Sequence, residues 1–314
     1  MFSTDDFFEK YAIVFAGGGS KGAWQIGIWK AFQEMGLPPA KIVSGTSAGA
    51  LNAALYSQGD LVRALDVWQT IDTSVVLTGN PNSTSFAFRL VDSILDGFRE
   101  ARGLVDFTIR KLKQALAFST LICKLAGNWL RQRDTAIFDS KGLERLVSDS
   151  LDWETSTFKI PVFACVHNKD SNSVEYINLH DNSRNAEERR KLLIASASIP
   201  YFFPEVIVDK THYCDGGYGI RFPGVNYDGK LDNVPVTPIL NARPDIENYL
   251  IIGSSKEKVS RKILLKHPKH FLSLVPEKSV RSRLDFTHEY MDEQIQRGYE
   301  CARKWLDNLA KYGL

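Results

Sequence analysis

Hydrophobic and polar positions along this chain follow two patterns in turn. Short apolar runs, typical of buried strands, alternate with stretches in which apolar residues recur at helical spacing. The first run, at 11–16, leads into a helical pattern that ends at Gly36, just before Pro38 and Pro39. The patterns predict strands at 11–16, 41–47, 159–166, 174–179 and 249–252, and helices at 23–36, 50–56, 61–71, 187–197 and 284–312.

This order of elements predicts an α/β fold. Strands that alternate with helices favour a mostly parallel central sheet with helices on both of its faces. A loop-like stretch at 79–85 precedes a long helical region that ends near 134, which we interpret as an insertion over the core. We therefore predict one domain over 1–255 with a helical insertion at 79–134. A basic segment and an amphipathic helix, 256–314, are expected to pack on the same domain.

Composition and cysteine spacing predict the cellular compartment of the protein. The 314 residues are 44% hydrophobic and 24% charged, which is ordinary for a soluble globular protein. No apolar run reaches the ~18 residues of a membrane-spanning helix, and the acidic N-terminus lacks the basic start of a signal peptide. The cysteines form no C-x-x-C pair, which favours reduced thiols in the cytoplasm and no metal site. They are Cys123, Cys165, Cys214 and Cys301.

The small net charge of +2 conceals two basic regions. Lys and Arg outnumber Asp and Glu by nine to four over 89–133 and by nine to two over 256–283. Basic stretches with apolar residues between them are typical either of solvated faces or of a membrane surface. No nucleic-acid-binding module accompanies the charge, so no nucleic-acid partner is predicted.

The most distinctive short motif is a serine between two glycines. Ser47 follows the second predicted strand and precedes a helix of good helix formers, with Gly45 and Gly49 on either side. A nucleophile on a sharp strand-to-helix turn needs glycines where the backbone crowds it. Alternatively, this segment is a tight turn whose serine caps the helix.

A glycine-rich loop follows the first predicted strand, and three interpretations apply to it. It fits a dinucleotide-binding fingerprint literally, but the second strand ends at Ser47 and not in the acidic residue which that fold uses. A Walker loop does not fit either, because Gly22 follows Lys21. The third interpretation is an oxyanion hole, since backbone amides at a helix N-terminus stabilise developing negative charge. The loop consists of Gly17, Gly18, Gly19, Ser20, Lys21 and Gly22.

A serine nucleophile needs a base, and none of the six histidines has a recognisable catalytic context. Asp215, followed by Gly216 and Gly217, is the stronger candidate, because a carboxylate at a strand end can accept the serine proton directly. A solvated Asp-Gly-Gly turn is the alternative.

Together these motifs resemble the patatin-like phospholipase family. The resemblance rests on the glycine loop, the Ser47 and Asp215 motifs, and a small-residue segment at 195–204 that runs into proline and aromatic residues. It covers roughly 11–255 and implies a three-layer α/β/α fold. It also implies hydrolysis of phospholipid or lysophospholipid acyl esters by a Ser47–Asp215 dyad, without a metal or cofactor. The glycine loop would supply the oxyanion hole.

The resemblance also carries expectations about partners. A membrane phospholipid is the expected substrate, which implies transient membrane association of a cytoplasmic protein. Some bacterial members of similar size are activated by cyclic nucleotides in antiviral defence, so a nucleotide activator at the basic regions is a further expectation. The chain departs from the family pattern after Gly217, where the residues from Tyr218 to Leu231 precede an Asn-x-Pro run at Asn233. This insertion leaves chain-length and headgroup preference open.

Two other classes of function remain compatible with these motifs. An α/β-hydrolase with a Ser-His-Asp triad normally has several strands before its nucleophile, whereas a single clear strand precedes Ser47. A non-catalytic module could use the same glycine loop and basic faces to bind an anionic ligand. His288→Ala with full activity would argue against the first, and a trapped acyl-serine would exclude the second.

Overall fold

A computed structural model of the chain describes residues 4–78, 136, 138–200, 202–217, 231–253, 259–276 and 284–312. The predicted helical insertion at 79–134 lies outside the described residues. So does all but the last residue of the insertion between Tyr218 and Leu231, and so does part of the basic stretch at 256–283.

The described strands form one eight-stranded sheet in the order β5-β6-β3-β2-β1-β7-β8, with β4 also paired to β3. Pairs β1–β2, β1–β7, β2–β3 and β7–β8 are parallel, and the three remaining pairs, all at the β3 side, are antiparallel. The predicted α/β fold with a mostly parallel sheet is therefore confirmed. The strands are β1 (Tyr11–Phe15), β2 (Ile42–Thr46), β3 (Val162–Asn168), β4 (Ser173–Asn178), β5 (Val206–Val208), β6 (Thr211–Asp215), β7 (Asn248–Ile252) and β8 (His270–Leu274).

Helices cover both faces of this sheet. Their bounds are α1 (Thr4–Glu9), α2 (Gly22–Glu34), α3 (Ala48–Gln58), α4 (Leu61–Thr70), α5 (Thr73–Val76), α6 (Lys141–Ser150), α7 (Ala186–Ala197), α8 (Thr237–Ala242), α9 (Arg261–Lys266) and α10 (His288–Tyr312). Successive residues of a strand point to opposite faces. Accordingly, Ile13 packs in the core under α2, α3, α6, α7 and α10, while Val14 packs in a second core with α8. The result is three layers.

The C-terminal helix α10 packs closely on α2. A Cβ atom at Gly27 of α2 would lie 1.9 Å from the carbonyl oxygen of Ile295, and one at Gly298 of α10 would lie 2.0 Å from that of Trp24. The two backbones therefore touch at glycines on both sides, which holds α2 in place directly after the glycine loop. The predicted domain boundary at 255–256 stays a prediction.

Eight of the described helices and strands are absent from the list predicted from the sequence pattern: helices α1, α5, α6, α8 and α9 and strands β5, β6 and β8. Strand β8 pairs with β7 in parallel and is the last strand of the sheet, and most of its side chains are partly exposed. An edge strand of this kind has no continuous apolar run, and its flanking lysines and histidines resemble a solvated basic segment. The terminal helix also begins at His288, later than the predicted start at 284. No helix among the described residues has the length and hydrophobicity needed to span a bilayer.

Candidate active site

Ser47 lies on a sharp turn between β2 and α3. Its backbone has φ 56° and ψ −131°, a combination that non-glycine residues rarely adopt. The neighbouring glycines are required sterically, because a Cβ at Gly45 would lie 2.1 Å from the carbonyl oxygen of Gly49. A Cβ at Gly49 would in turn lie 2.3 Å from the carbonyl oxygen of Phe15. The start of α3 therefore packs against β2, the strand that precedes it, and against β1.

Asp215 reaches the same place from the opposite direction. Strand β2 runs parallel to β3 and ends with Thr46 opposite Cys165, whereas β6 runs antiparallel to β3 and ends with Asp215 opposite Val166. Because β4 occupies the other edge of β3, β2 and β6 share one edge, and their carboxyl ends meet end to end. This register brings Ser47 and Asp215 together, and Asp215 is fully buried there.

The glycine loop lies beside the serine. A Cβ at Gly17 would lie 3.3 Å from the Cβ of Ser47. The backbone is extended at Gly18 (φ −171°) and left-handed at Gly19 (φ 59°), where a 3₁₀ turn begins that leads into α2. The amides of Gly17, Lys21 and Gly22 donate to backbone carbonyls. Within the described part of the chain, no group accepts a hydrogen bond from the amides of Gly18 or Gly19.

Asn233 joins the glycine loop to the aspartate motif. Its carbonyl accepts a hydrogen bond from the Gly17 amide, and its Nδ2 donates to the Gly17 carbonyl, both at 3.2 Å. Its Oδ1 also lies so near Gly217 that a Cβ there would be 2.5 Å away. The Asp232 amide donates to the carbonyl of Gly216 at 2.8 Å. Gly216 and Asp232, which lie on either side of the insertion, are therefore in contact, and the Asn-x-Pro run still contacts the glycine loop.

The end of α7 holds both strand ends. The Ser47 amide donates to Ser196 Oγ at 3.0 Å, and that hydroxyl donates to the carbonyl of Cys165 at 2.7 Å. Two residues later, the carbonyl of Ser198 accepts a hydrogen bond from the Asp215 amide at 2.9 Å. The small residues of this segment are part of the family pattern, but their contacts with Ser47 and Asp215 are visible only in the structure.

Local hydrogen bonds orient the aspartate, and burial keeps its cysteine neighbour neutral. Asp215 Oδ1 accepts a hydrogen bond from the Gly217 amide at 2.8 Å. Burial raises the pKa of the Cys165 thiol well above its usual value, and the charges of Asp232 and Asp215 raise it further. Burial likewise raises the pKa of Asp232, whose Oδ2 accepts a hydrogen bond from Tyr176 at 2.7 Å. A protonated thiol is a poor nucleophile.

Two of the described histidines, His167 and His288, are placed poorly for a triad. His167 follows Val166 on β3, so its side chain points to the sheet face opposite to that of Val166 and its partner Asp215. His288 is exposed at the start of α10, and its Nδ1 is bonded to the carbonyl of Gln69 at 2.7 Å. Among the side chains that the structure describes, no group of three His, Cys, Asp or Glu residues is arranged to hold a metal ion.

An apolar cavity of about 50 Å³ begins at Ser47. Ala48 and Gly19 lie at the same wall, and the other walls come from α4, α6, α7 and the segment before α10. Leu143, Val147 and Phe286 are among its lining residues. A cavity lined in this way favours hydrocarbon over water.

A family model supplies the identification. The model of the patatin-like phospholipase family matches residues 13–239. The chain belongs to this family. Forty-six residues are 48% identical to lysophospholipase nte1 from Aspergillus terreus (strain NIH 2624 / FGSC A1156), a match that covers 15% of this chain and 3% of that protein.

Solved structures of similar fold are more distant in sequence from this patatin-like chain. VipD from Legionella pneumophila is 14% identical with a TM-score of 0.45, over 95% of this chain and 66% of VipD. Human GIVD cytosolic phospholipase A2, solved with methyl gamma-linolenyl fluorophosphonate, is 9% identical with a TM-score of 0.42, over 97% of this chain and 58% of that protein. The chain thus spans two thirds or less of these relatives.

The strained backbone at Ser47 makes a testable prediction about stability. Glycine relieves a strain of about 1–3 kcal/mol, less its own entropic cost of about 0.5–1 kcal/mol. We therefore expect Ser47→Gly to have a free energy of unfolding about 1 kcal/mol above that of Ser47→Ala, measured by urea denaturation. Ser148 inside α6 is the matched control, where glycine should be less stable than alanine by about 1 kcal/mol. Equal stability of the two Ser47 variants would show that the turn is unstrained.

Proposed function

We propose that this chain is a lipid acyl hydrolase that uses Ser47 as its nucleophile and Asp215 as its general base. The observation that carries the proposal is the meeting of β2 and β6 at adjacent positions along β3, beside the open amides of Gly18 and Gly19. Nucleophile, base and amide donors are the three groups that acyl transfer requires.

The first half of the reaction acylates the serine. Ser47 Oγ attacks the ester carbonyl carbon while Asp215 accepts its proton, and the carbonyl π electrons move onto oxygen. The amides of Gly18 and Gly19 stabilise this oxyanion, as preorganised backbone donors do. When the tetrahedral intermediate collapses, the C–O bond to the alcohol breaks and Asp215 returns the proton to the leaving oxygen.

The second half releases the fatty acid. Asp215 accepts a proton from water, whose oxygen attacks the carbonyl carbon of the acyl-serine and forms a second oxyanion at the same amides. Collapse breaks the bond to Ser47 Oγ, which takes the proton back. The dyad is thereby restored without a histidine, metal or cofactor.

The cavity next to Ser47 supports an acyl substrate. Its lining is almost entirely hydrocarbon, so we place the acyl chain there and the alcohol portion of the lipid toward the Asp215 side. Because the space holds only a few water-sized groups, a long chain requires movement of its walls. We propose membrane phospholipid or lysophospholipid as the substrate, with transient membrane contact of a cytoplasmic protein.

The nucleotide activation expected from the resemblance belongs to the same proposal. The described part of the second basic region supports it, since 259–276 contains Arg261, Lys262, Lys266 and Lys269 and no Asp or Glu. An antiviral role would follow from such activation.

The dyad is tested by removing each member. We expect Ser47→Ala and Asp215→Asn each to lower kcat/KM by about 10³ or more, because each removes a group that reacts. The measurement is fatty-acid release, followed by mass spectrometry, from vesicles of defined phospholipids. Repeating it with and without cyclic nucleotides also reports positional preference and activation. Asp170→Asn, at an exposed turn, is the control and should be fully active. Unchanged hydrolysis by either dyad variant would overturn the assignment.

The contacts of α7 provide a second test. Ser196→Ala removes the acceptor of the Ser47 amide, and an unsatisfied buried donor costs about 1–3 kcal/mol. We expect kcat to fall about tenfold or more. Ser198→Ala is the matched control, because its hydroxyl donates to the carbonyl of Ile194 in α7 and its backbone carbonyl, which the substitution keeps, holds Asp215. Equal rates for the two variants would contradict the role of Ser196.

The cavity is tested with a series of p-nitrophenyl esters from butanoate to hexadecanoate. Val147→Phe fills part of the cavity, and we expect it to lower kcat/KM for long chains at least about tenfold more than for short ones, a typical effect of pocket size. Ile207→Phe, at an exposed position, should leave the series unchanged. A uniform effect across all chain lengths would place the acyl chain elsewhere.

A further inference from the structure

Three buried side chains from three helices form a hydrogen-bonded chain beneath the glycine loop. Trp68 of α4 donates from Nε1 to Asn52 Oδ1 at 2.7 Å, and Asn52 of α3 donates from Nδ2 to Gln25 Oε1 at 2.8 Å. Gln25 of α2 and Asn52 are fully buried, and Trp68 is 1% exposed.

This hydrogen-bonded network also contacts backbone carbonyls at both ends of the glycine loop. Gln25 Nε2 donates to the carbonyl of Ala16 at 2.8 Å and to that of Ile252 on β7 at 3.0 Å. Asn52 Nδ2 also donates to the carbonyl of Gly22 at 2.9 Å. Ala16 is the last residue before the loop and Gly22 is its last member, so one network holds both ends.

Burying such a polar network costs free energy, and an apolar core would form this fold without it. Two amides and an indole N–H lie in a core that is otherwise hydrocarbon, where polar groups are unfavourable unless every hydrogen bond is made. The loop has consecutive glycines and hence little conformational preference of its own. Its geometry must therefore be imposed by neighbouring groups.

We propose that Gln25, Asn52 and Trp68 are positioning residues that hold the amides of Gly18 and Gly19 where the oxyanion forms. This inference rests on the proposed function. The network does not touch the substrate through its amides; it acts by fixing the two carbonyls that flank the loop. Trp68 links it to the acyl cavity as well, because its ring lines that cavity and would lie 2.4 Å from a Cβ at Gly22.

The test compares the same change at two buried amides of α3. Asn52→Asp puts a carboxylate against the carbonyl of Gly22 and Gln25 Oε1, and it removes both donated hydrogen bonds. The control is Gln58→Glu, at the far end of the helix, where Gln58 bonds to the 152–157 turn and is 6% exposed. Both changes cost stability, but only Asn52 holds the loop.

We expect Asn52→Asp to lower kcat about 10²-fold, as a small misplacement of catalytic groups does, while KM changes little. A long-chain alkyl trifluoromethyl ketone forms a tetrahedral adduct whose oxyanion uses the same amides. Its affinity should therefore fall by the same factor as kcat/KM. Gln58→Glu should lower the melting temperature and leave both quantities unchanged.

Trp68→Phe is the second variant should Asn52→Asp not fold. It keeps an aromatic ring at this position, but it removes the donor to Asn52 Oδ1 and the outer ring atoms next to Gly22. We therefore expect about a tenfold loss in kcat and in ketone affinity. Ser47→Ala is assayed alongside. If Ser47→Ala is inactive while Asn52→Asp and Trp68→Phe lower only stability, the positioning role is wrong and the proposed function stands. If Ser47→Ala remains active, the proposed function fails and this inference fails with it.

Discussion

The site depends on two strands that share one edge of β3 and approach each other from opposite directions. Carboxyl ends of parallel strands normally lie side by side, and a residue from a neighbouring strand then faces the nucleophile across the sheet. Here the antiparallel strand β6 continues the line of β2 instead, so that Thr46 and Asp215 stand opposite consecutive residues of β3. Two residues far apart in the chain become neighbours because backbone register is set by strict hydrogen-bond geometry.

Close packing of glycines supports this arrangement. The start of α3 presses on β1 through Gly49, and the glycine loop presses on the turn at Ser47 through Gly17. Asn233 fills the space between the loop and Gly217. The backbones touch here without side chains between them, so the three motifs pack together as one unit.

Buried hydrogen bonds then orient Ser47, Asp215 and the glycine loop, which close packing brings together. Ser196 holds the Ser47 amide, the carbonyl of Ser198 holds the Asp215 amide, and Gln25 and Asn52 hold the ends of the glycine loop. Each of these bonds is buried, where an alternative partner from water is absent. The apolar cavity completes the site, because Ser47 and Gly19 lie at its wall and most of its other lining is hydrocarbon. This combination matches an ester of a fatty acid better than a charged small molecule.

The sequence by itself determined the class of fold, the turn at Ser47 and the glycine loop, because each depends on residues that are neighbours in the chain. Alternating apolar runs predicted the central strands, and the spacing of Gly45, Ser47 and Gly49 predicted a sharp strand-to-helix turn. Edge strand β8 and the contacts of Asn233, Ser196, Gln25 and Asn52 were decided only by the tertiary structure. A polar residue within an apolar helix signals burial with a partner, but its partner comes from another element. The pairing of Ser47 with Asp215 was expected from a family resemblance, and it is the register of β2 and β6 along β3 that brings them together, since contacts between distant residues arise only when the sheet is assembled.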